Sequence, residues 1–147
     1  MWRLLFGKNV RGFTLIELVV VITILGVLAA FAVPRFVALQ ANARASAVES
    51  LSGALRSAST LTHSMWMING GPSVDMQGAT IAMTNGYPDF ADIDDTLLDS
   101  SGFAYDSLTG QFSKAGATTA ATCSVTYAPP AVLGDAPSII LDVSDCT

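Results

Sequence analysis

Residues 11–21 read Arg11-Gly12-Phe13-Thr14-Leu15-Ile16-Glu17-Leu18-Val19-Val20-Val21, and one side chain does not match its surroundings. Glu17 sets a carboxylate near the start of the longest apolar run in the chain. A charge in the middle of a membrane helix costs roughly 2.5–3.5 kcal/mol on insertion scales. How this stretch is read decides whether the first third of the chain is a discarded leader, a plain membrane anchor or a segment with a further use.

From Leu18 to Val33 there are sixteen residues without a charge, and counting from Phe13 gives twenty-one with Glu17 as the sole charge. That is long enough for a helix to cross the hydrocarbon core of a bilayer. Arg3, Lys8 and Arg11 precede the run and outweigh Arg35 and Arg44 beyond it. The positive-inside tendency therefore keeps the N-terminus in the cytoplasm and sends the rest across. A secretory signal peptide offers the same basic start, and Ala30-Phe31-Ala32 supplies a small-x-small cleavage site. Two features oppose that reading. The run exceeds the usual apolar region of about 7–15 residues, and the helical pattern does not stop at Ala32. Val37, Ala41, Ala45, Val48, Leu51, Leu55, Ala58, Thr62 and Met65 recur every three or four positions, with Arg44 also on this spacing. Arg44, Glu49 and Arg56 put charge on other faces. One helix is expected to continue to about Met67, apolar in its first half and amphipathic in its second. Asn69-Gly70-Gly71-Pro72 stops it. Pro34 inside this helix predicts a kink, and Gly26 weakens it by about 1 kcal/mol relative to alanine. Together they mark 26–34 as a stretch able to loosen or extend.

Charge and cysteine usage narrow the function classes. The 147 residues are 51% hydrophobic and 13% charged, with that apolar excess gathered in the first forty positions. Beyond Arg56 the only base is Lys114, against ten acidic side chains. An acidic distal half disfavours sequence-independent nucleic-acid binding, which needs Lys and Arg to neutralise phosphates. No nucleic-acid partner is expected. Cys123 and Cys146 are the only cysteines and His63 the only histidine. Structural zinc takes four N or S ligands, so no metal is expected, and a disulfide in an oxidising compartment is the better reading.

Past Pro72 the period shortens. Ala79–Met83 alternates ahead of the turn signal Asn85-Gly86. Asp89 to Leu98 reads as a short helix with acids in its first turns. Phe103–Tyr105 and Gln111–Ser113 flank a turn and form a hairpin, while Cys123–Tyr127 and Ile139–Val143 are the clearest strands. Three or four short antiparallel strands would pack one face on the second half of the long helix, which completes their core. The expected fold is α+β.

Arg11-Gly12-Phe13-Thr14-Leu15-Ile16-Glu17-Leu18, after a short basic leader and before an apolar run, resembles the class III signal of type IV prepilins and pseudopilins. The resemblance covers about the first fifty-five residues. It implies that a prepilin peptidase cuts between Gly12 and Phe13 on the cytoplasmic side and N-methylates Phe13. Removing residues 1–12 takes three of the seven bases and no acid, leaving four bases against twelve acids. It also exposes a charged amine at Phe13, which a neighbouring subunit could bring to Glu17. An unpaired buried carboxylate is strongly disfavoured, so such a pair would set the stagger of otherwise slippery helices. The implied organisation is a leader (1–12), an apolar membrane and filament-core helix (13–34), an amphipathic half (35–68) and a β-rich head (69–147). A disulfide between Cys123 and Cys146 would bound the exposed region 123–146. Asn85-Gly86-Tyr87-Pro88, Cys-x-Val-x-Tyr at 123–127 and the terminal cysteine look most like the mannose-sensitive haemagglutinin branch of type IVa pilins.

The implied function is a structural one. The subunit is stored in the inner membrane of an outer-membrane organism and polymerised into an extracellular filament for adhesion, attachment or motility. Its partners would be copies of itself, the peptidase, a cytoplasmic ATPase, a membrane platform and a secretin, and no cofactor is implied. A pseudopilin of type II secretion or a minor pilin shares the architecture. A monomeric membrane-tethered binding module is the rival of another class. Asp92, Asp94, Asp95 and Asp99 suggest calcium, but their spacing lacks the glycine and distal glutamate of an EF-hand loop, and a solvated helix start is preferred. His63 beside Ser64 suggests a hydrolase by composition alone, and Met65 and Trp66 read as packing residues at the junction of helix and sheet.

Overall fold

The computed structural model describes residues 12–147, so Arg3, Lys8, Arg11 and the rest of the expected leader before Gly12 lie outside the described residues. The chain is α+β, with one long helix followed by antiparallel strands. Helix α1 (Leu15–Asn69) runs for 55 residues with both Gly26 and Pro34 inside it. It ends two residues later than expected, at the expected signal. The Gly70 N–H donates to the Trp66 carbonyl at 2.7 Å, and Gly70 and Gly71 take φ of +65° and +98°. Only glycine enters that region without steric cost, so helical geometry stops there.

Two compact units divide the chain, one up to Phe36 and one from Val37 onward. In the first, every described residue is exposed except Ala32, which is half-buried. The second unit holds the core. Val48, Leu51 and Leu55 of α1 are buried with Ile93, Phe112, Val125, Tyr127 and both cysteines. Their spacing of three and four places them on one helical stripe. Ser59 and Thr62 extend the stripe as buried polar residues. Each satisfies its hydroxyl within the helix, Ser59 on the Arg56 carbonyl and Thr62 on the Ala58 carbonyl at 2.8 Å. That pairing is what makes their burial tolerable.

Among the described residues seven strands form two sheets, where three or four strands were expected. Strands β1 (Ser73–Met76), β2 (Ala79–Thr84) and β3 (Tyr87–Pro88) pair in that order. Strands β4 (Phe103–Asp106), β5 (Gln111–Lys114), β6 (Ser124–Ala128) and β7 (Ser138–Asp142) form the second sheet in sequence order. The register sets Phe112 opposite Val125 and Val125 opposite Leu141. Strands β1 and β3 escaped the sequence reading because four and two residues are too few to display an alternation. Asn85 and Gly86, at φ of +52° and +84°, make the β2–β3 turn where the Asn-Gly signal placed it.

The segment from Asp89 to Leu98 is not an α-helix. Only a single turn of 3-10 helix forms, Ile93–Thr96. Two of its aspartates, Asp89 and Asp92, spend oxygens on other groups, while Asp94 Oδ1 is buried without a hydrogen-bond partner among the described residues. Asp89 accepts from the Ala91 N–H and the Thr84 hydroxyl, and Asp92 accepts from the Ala82 N–H at 2.8 Å. Short acidic side chains bonded in this way compete with helix and favour turns.

Candidate functional site

In the described first unit, large apolar side chains stand in the open. Phe13 is 75% exposed, Ile16 71% and Phe31 74%, and the best eighteen-residue window of α1 has a mean hydropathy of 2.8 with none of it buried. The helix is long and apolar enough to cross a membrane. An apolar surface of this extent marks a membrane-facing or protein-facing element.

Glu17 has a definite setting at the head of that helix. Thr14 is the last residue before Leu15, and its N–H and hydroxyl both donate to Glu17 Oε2, at 2.9 and 2.7 Å. The Glu17 N–H returns a bond to Thr14 Oγ1 at 3.3 Å. This reciprocal pair is a capping box, which satisfies backbone donors that the first helical turn leaves without partners. The sequence reading passed over Thr14. The signal was present in Thr14-Leu15-Ile16-Glu17, the T-x-x-E spacing of a capping box. Gly12 and Phe13 precede the helix, both exposed. Gly26 faces open space at the position of a Cβ.

The disulfide joins Cys123 to Cys146, as expected. Arg44, on the buried-side spacing of α1, donates from Nη1 to the Cys146 carbonyl at 3.0 Å and so fastens the chain end to the helix. Asp142 and Asp145 lie in the same region. Hydrogen bonds from the Ser144 hydroxyl and N–H hold the Asp142 carboxyl below the usual range, and Thr147 does the same for Asp145. Both carboxylates are solvent-exposed, so these bonds shape turns more than they stabilise the fold.

His63 stacks on Tyr87 with ring centroids 4.2 Å apart and planes within 5°, and on Trp66 with centroids 5.8 Å apart and planes at 21°. His63 Nδ1 is 2.6 Å from the Gly86 carbonyl, while the Ser64 hydroxyl donates to Thr60 O. The two side chains thus serve different partners, and Trp66 packs at the helix–sheet junction. Tyr127 donates its hydroxyl to the Pro88 carbonyl at 2.8 Å, which ties the two sheets together. Burial, then the Asp89 charge, pushes the Tyr127 hydroxyl far up, so it stays a neutral donor. Among the described residues, no three His, Cys, Asp or Glu side chains converge as a metal site.

Residues 7–33 match the family described as the prokaryotic N-terminal methylation motif. Over 48 residues, 33% of its length, the chain is 54% identical to the type IV narrow pilus major component PilA5 of Thermus thermophilus, covering 41% of that protein. Over 41 residues it is 51% identical to the type IV major pilin protein PilA of Myxococcus xanthus, covering 19% of that protein. The chain therefore spans less than half the length of these curated relatives. No solved structure matches. The chain carries the N-methylation motif of type IV pilins and is similar to type IV pilins over about a third of its length.

Proposed function

We propose that the chain is a type IV prepilin whose mature form is the major subunit of a pilus. The observation that carries this reading is the exposed apolar helix headed by Glu17, directly after the Gly12–Phe13 bond and inside the matched motif. A peptidase cuts after Gly12 and N-methylates Phe13. The subunit then waits in the inner membrane with its head in the oxidising compartment that the disulfide requires. On assembly, the apolar helix exchanges lipid for neighbouring helices, and the amine of Phe13 pairs with Glu17 of a neighbour. The charge is kept because it gives a non-directional surface a fixed stagger. Gly26 to Pro34 is the stretch that loosens or extends as helices pack. The four segments 1–12, 13–34, 35–68 and 69–147 are leader, filament core, head-bearing helix and head. In this role the protein is not an enzyme and needs no cofactor. Its partners are its own copies, the peptidase, the ATPase, the platform and a secretin. The Asn85–Pro88 turn and the 123–146 loop favour a head of the mannose-sensitive haemagglutinin kind.

Mass spectrometry of the mature N-terminus tests the processing step. A chain starting at N-methyl-phenylalanine 13 is expected, and a start near Val33 overturns the reading in favour of simple secretion. Glu17→Leu tests assembly: the subunit remains in the membrane while filaments are lost. Normal filaments from that variant would remove the ion pair from the mechanism. A pseudopilin or minor pilin is the second reading, because the apolar helix serves those roles equally well. Filaments sheared from whole cells and composed mainly of this chain decide for the major subunit.

A further inference from the structure

The head carries an apolar groove that its own fold leaves open. Ala54, Ala58 and Leu61 stand three or four positions apart on α1, on a stripe beside the buried one. Met76, at the end of β1, and Leu97 and Leu98, after the 3-10 turn, join them around a groove of about 390 Å³. Leu98 is 92% exposed and Leu61 55%. Among the described residues, Asp99 is the one charged side chain in the lining. Its Oδ1 accepts the Ser101 N–H at 2.8 Å, which leaves the carboxylate further acceptor positions. Charge decides what the groove suits. From Val37 onward the chain has eleven acidic side chains against three basic ones, so a cationic occupant is favoured over a second acidic surface. Those three bases are engaged within the chain: Arg44 donates to Cys146 O, Arg56 to Ile139 O and Lys114 to Gly102 O. Arg35 is the one base among the described residues that donates to nothing in its own chain, and beside it Phe36 is 65% exposed. Val132 and Leu133 are another exposed apolar pair of the head, but they sit near Asp135 and bring no base.

We propose that this groove is a dock for Arg35 and Phe36 of a second copy of the chain. The Phe36 ring enters between Leu61 and Leu98. The arginine stem lies along the apolar wall and carries its guanidinium to Asp99, as long basic side chains do on apolar surfaces. Arginine and aromatic rings are the side chains that most often anchor an interface. The proposal rests on the reading that the mature chain forms filaments, and it concerns a contact of the head that does not involve Glu17.

Cross-linking between full-length chains tests the dock. Both native cysteines are joined to each other, so introduced thiols meet no native competitor. Phe36→Cys chains are co-expressed with epitope-tagged Leu98→Cys chains in a strain that assembles the filament, and sheared filaments are mildly oxidised. A disulfide-linked dimer of one copy of each kind is expected. Leu98→Cys that instead captures Val132→Cys gives the groove to the β6–β7 loop of a copy and overturns the proposal, as does capture of a different polypeptide. A charge exchange tests the ion pair. Arg35→Glu sets like charges together and lowers filament yield about fivefold at unchanged subunit level, the upper scale of one exposed ion pair. Adding Asp99→Arg to Arg35→Glu restores the yield. An unaffected single variant, or a double variant that is not rescued, overturns the proposal. The parent chain is the reference. If it assembles no filaments, the filament reading itself fails; if it assembles them while the mixed dimer is absent, only the dock fails.

Discussion

Removing the disulfide is the perturbation whose size the structure sets most directly. Cys123 and Cys146 are 23 positions apart, so the bond closes a loop of 24 residues counting both ends. Chain-entropy reasoning gives about 3 kcal/mol for a loop of that length. The unit from Val37 to Thr147 unfolds with an entropy of about 0.23 kcal/mol per kelvin, from roughly 2.1 cal/mol/K per residue. Dividing the two, the Cys123→Ala/Cys146→Ala chain is expected to melt about 13 °C below the parent. The cysteines are 0% and 4% exposed, so lost packing adds to this figure. Near-ultraviolet circular dichroism of the full chain in detergent micelles follows the head while the apolar helix stays solvated. Noncovalent ties also hold this end. The Thr118 N–H and hydroxyl both donate to Thr147 O, Asp145 N–H donates to Thr122 O, and Arg44 donates to Cys146 O. If these suffice, the shift would be under about 4 °C. Such a result would refute the argument that the bond acts by restricting the unfolded chain.

Gly86→Ala should destabilise the head by about 2–4 kcal/mol, since the left-handed backbone and overpacking each cost on the order of 1–2 kcal/mol. Gly86 sits at φ +84°, and an added Cβ would lie 2.9 Å from Trp66 Cζ3. An unchanged urea midpoint counts against the stacked junction. Tyr127→Phe leaves the Pro88 carbonyl without its donor and should cost about 1–3 kcal/mol. A neutral result in the same titration would mean that water replaces the hydroxyl. Acid should weaken the head in a narrow window. The Asp99, Asp106, Asp142 and Asp145 carboxyls are all held below their ordinary value of 3.8 by local hydrogen bonds. Folded values below unfolded ones give stability that is present above about pH 4 and lost as pH falls through the folded values. A flat urea midpoint from pH 7 to 5, then a decline below 4, is the expected profile. A decline already complete at pH 5 would need another group.

What was legible in the sequence tracks how much of each signal is local. The helix declared itself because Val48, Leu51 and Leu55 repeat over many turns and because Asn69-Gly70-Gly71-Pro72 is an unambiguous stop. The Asn85-Gly86 turn and the cysteine pair were equally plain. Strands β1 and β3 were not, since their identity comes from the partner β2 and not from their own composition. The acidic run from Asp89 misled for a related reason. Acids suit the start of a helix, yet here Asp92 finds the Ala82 N–H ten residues away, a partner no local window contains.

Glu17 separates the two kinds of information most sharply. Its oddness within an apolar run is visible to any reader of the sequence, and so is the T-x-x-E spacing that accounts for its position in one subunit. Capping alone does not account for its retention, because a serine or threonine cap without the N3 carboxylate also starts a helix. A box that costs nothing in water costs something in lipid, where a charge must be held against the solvent. A neutral glutamine at N3 completes the same box without that cost. On the proposed pilin reading, the choice of a carboxylate over an amide is met by a cation on a neighbouring copy, and Glu17→Gln is the variant that separates the two: it keeps the box and loses the charge.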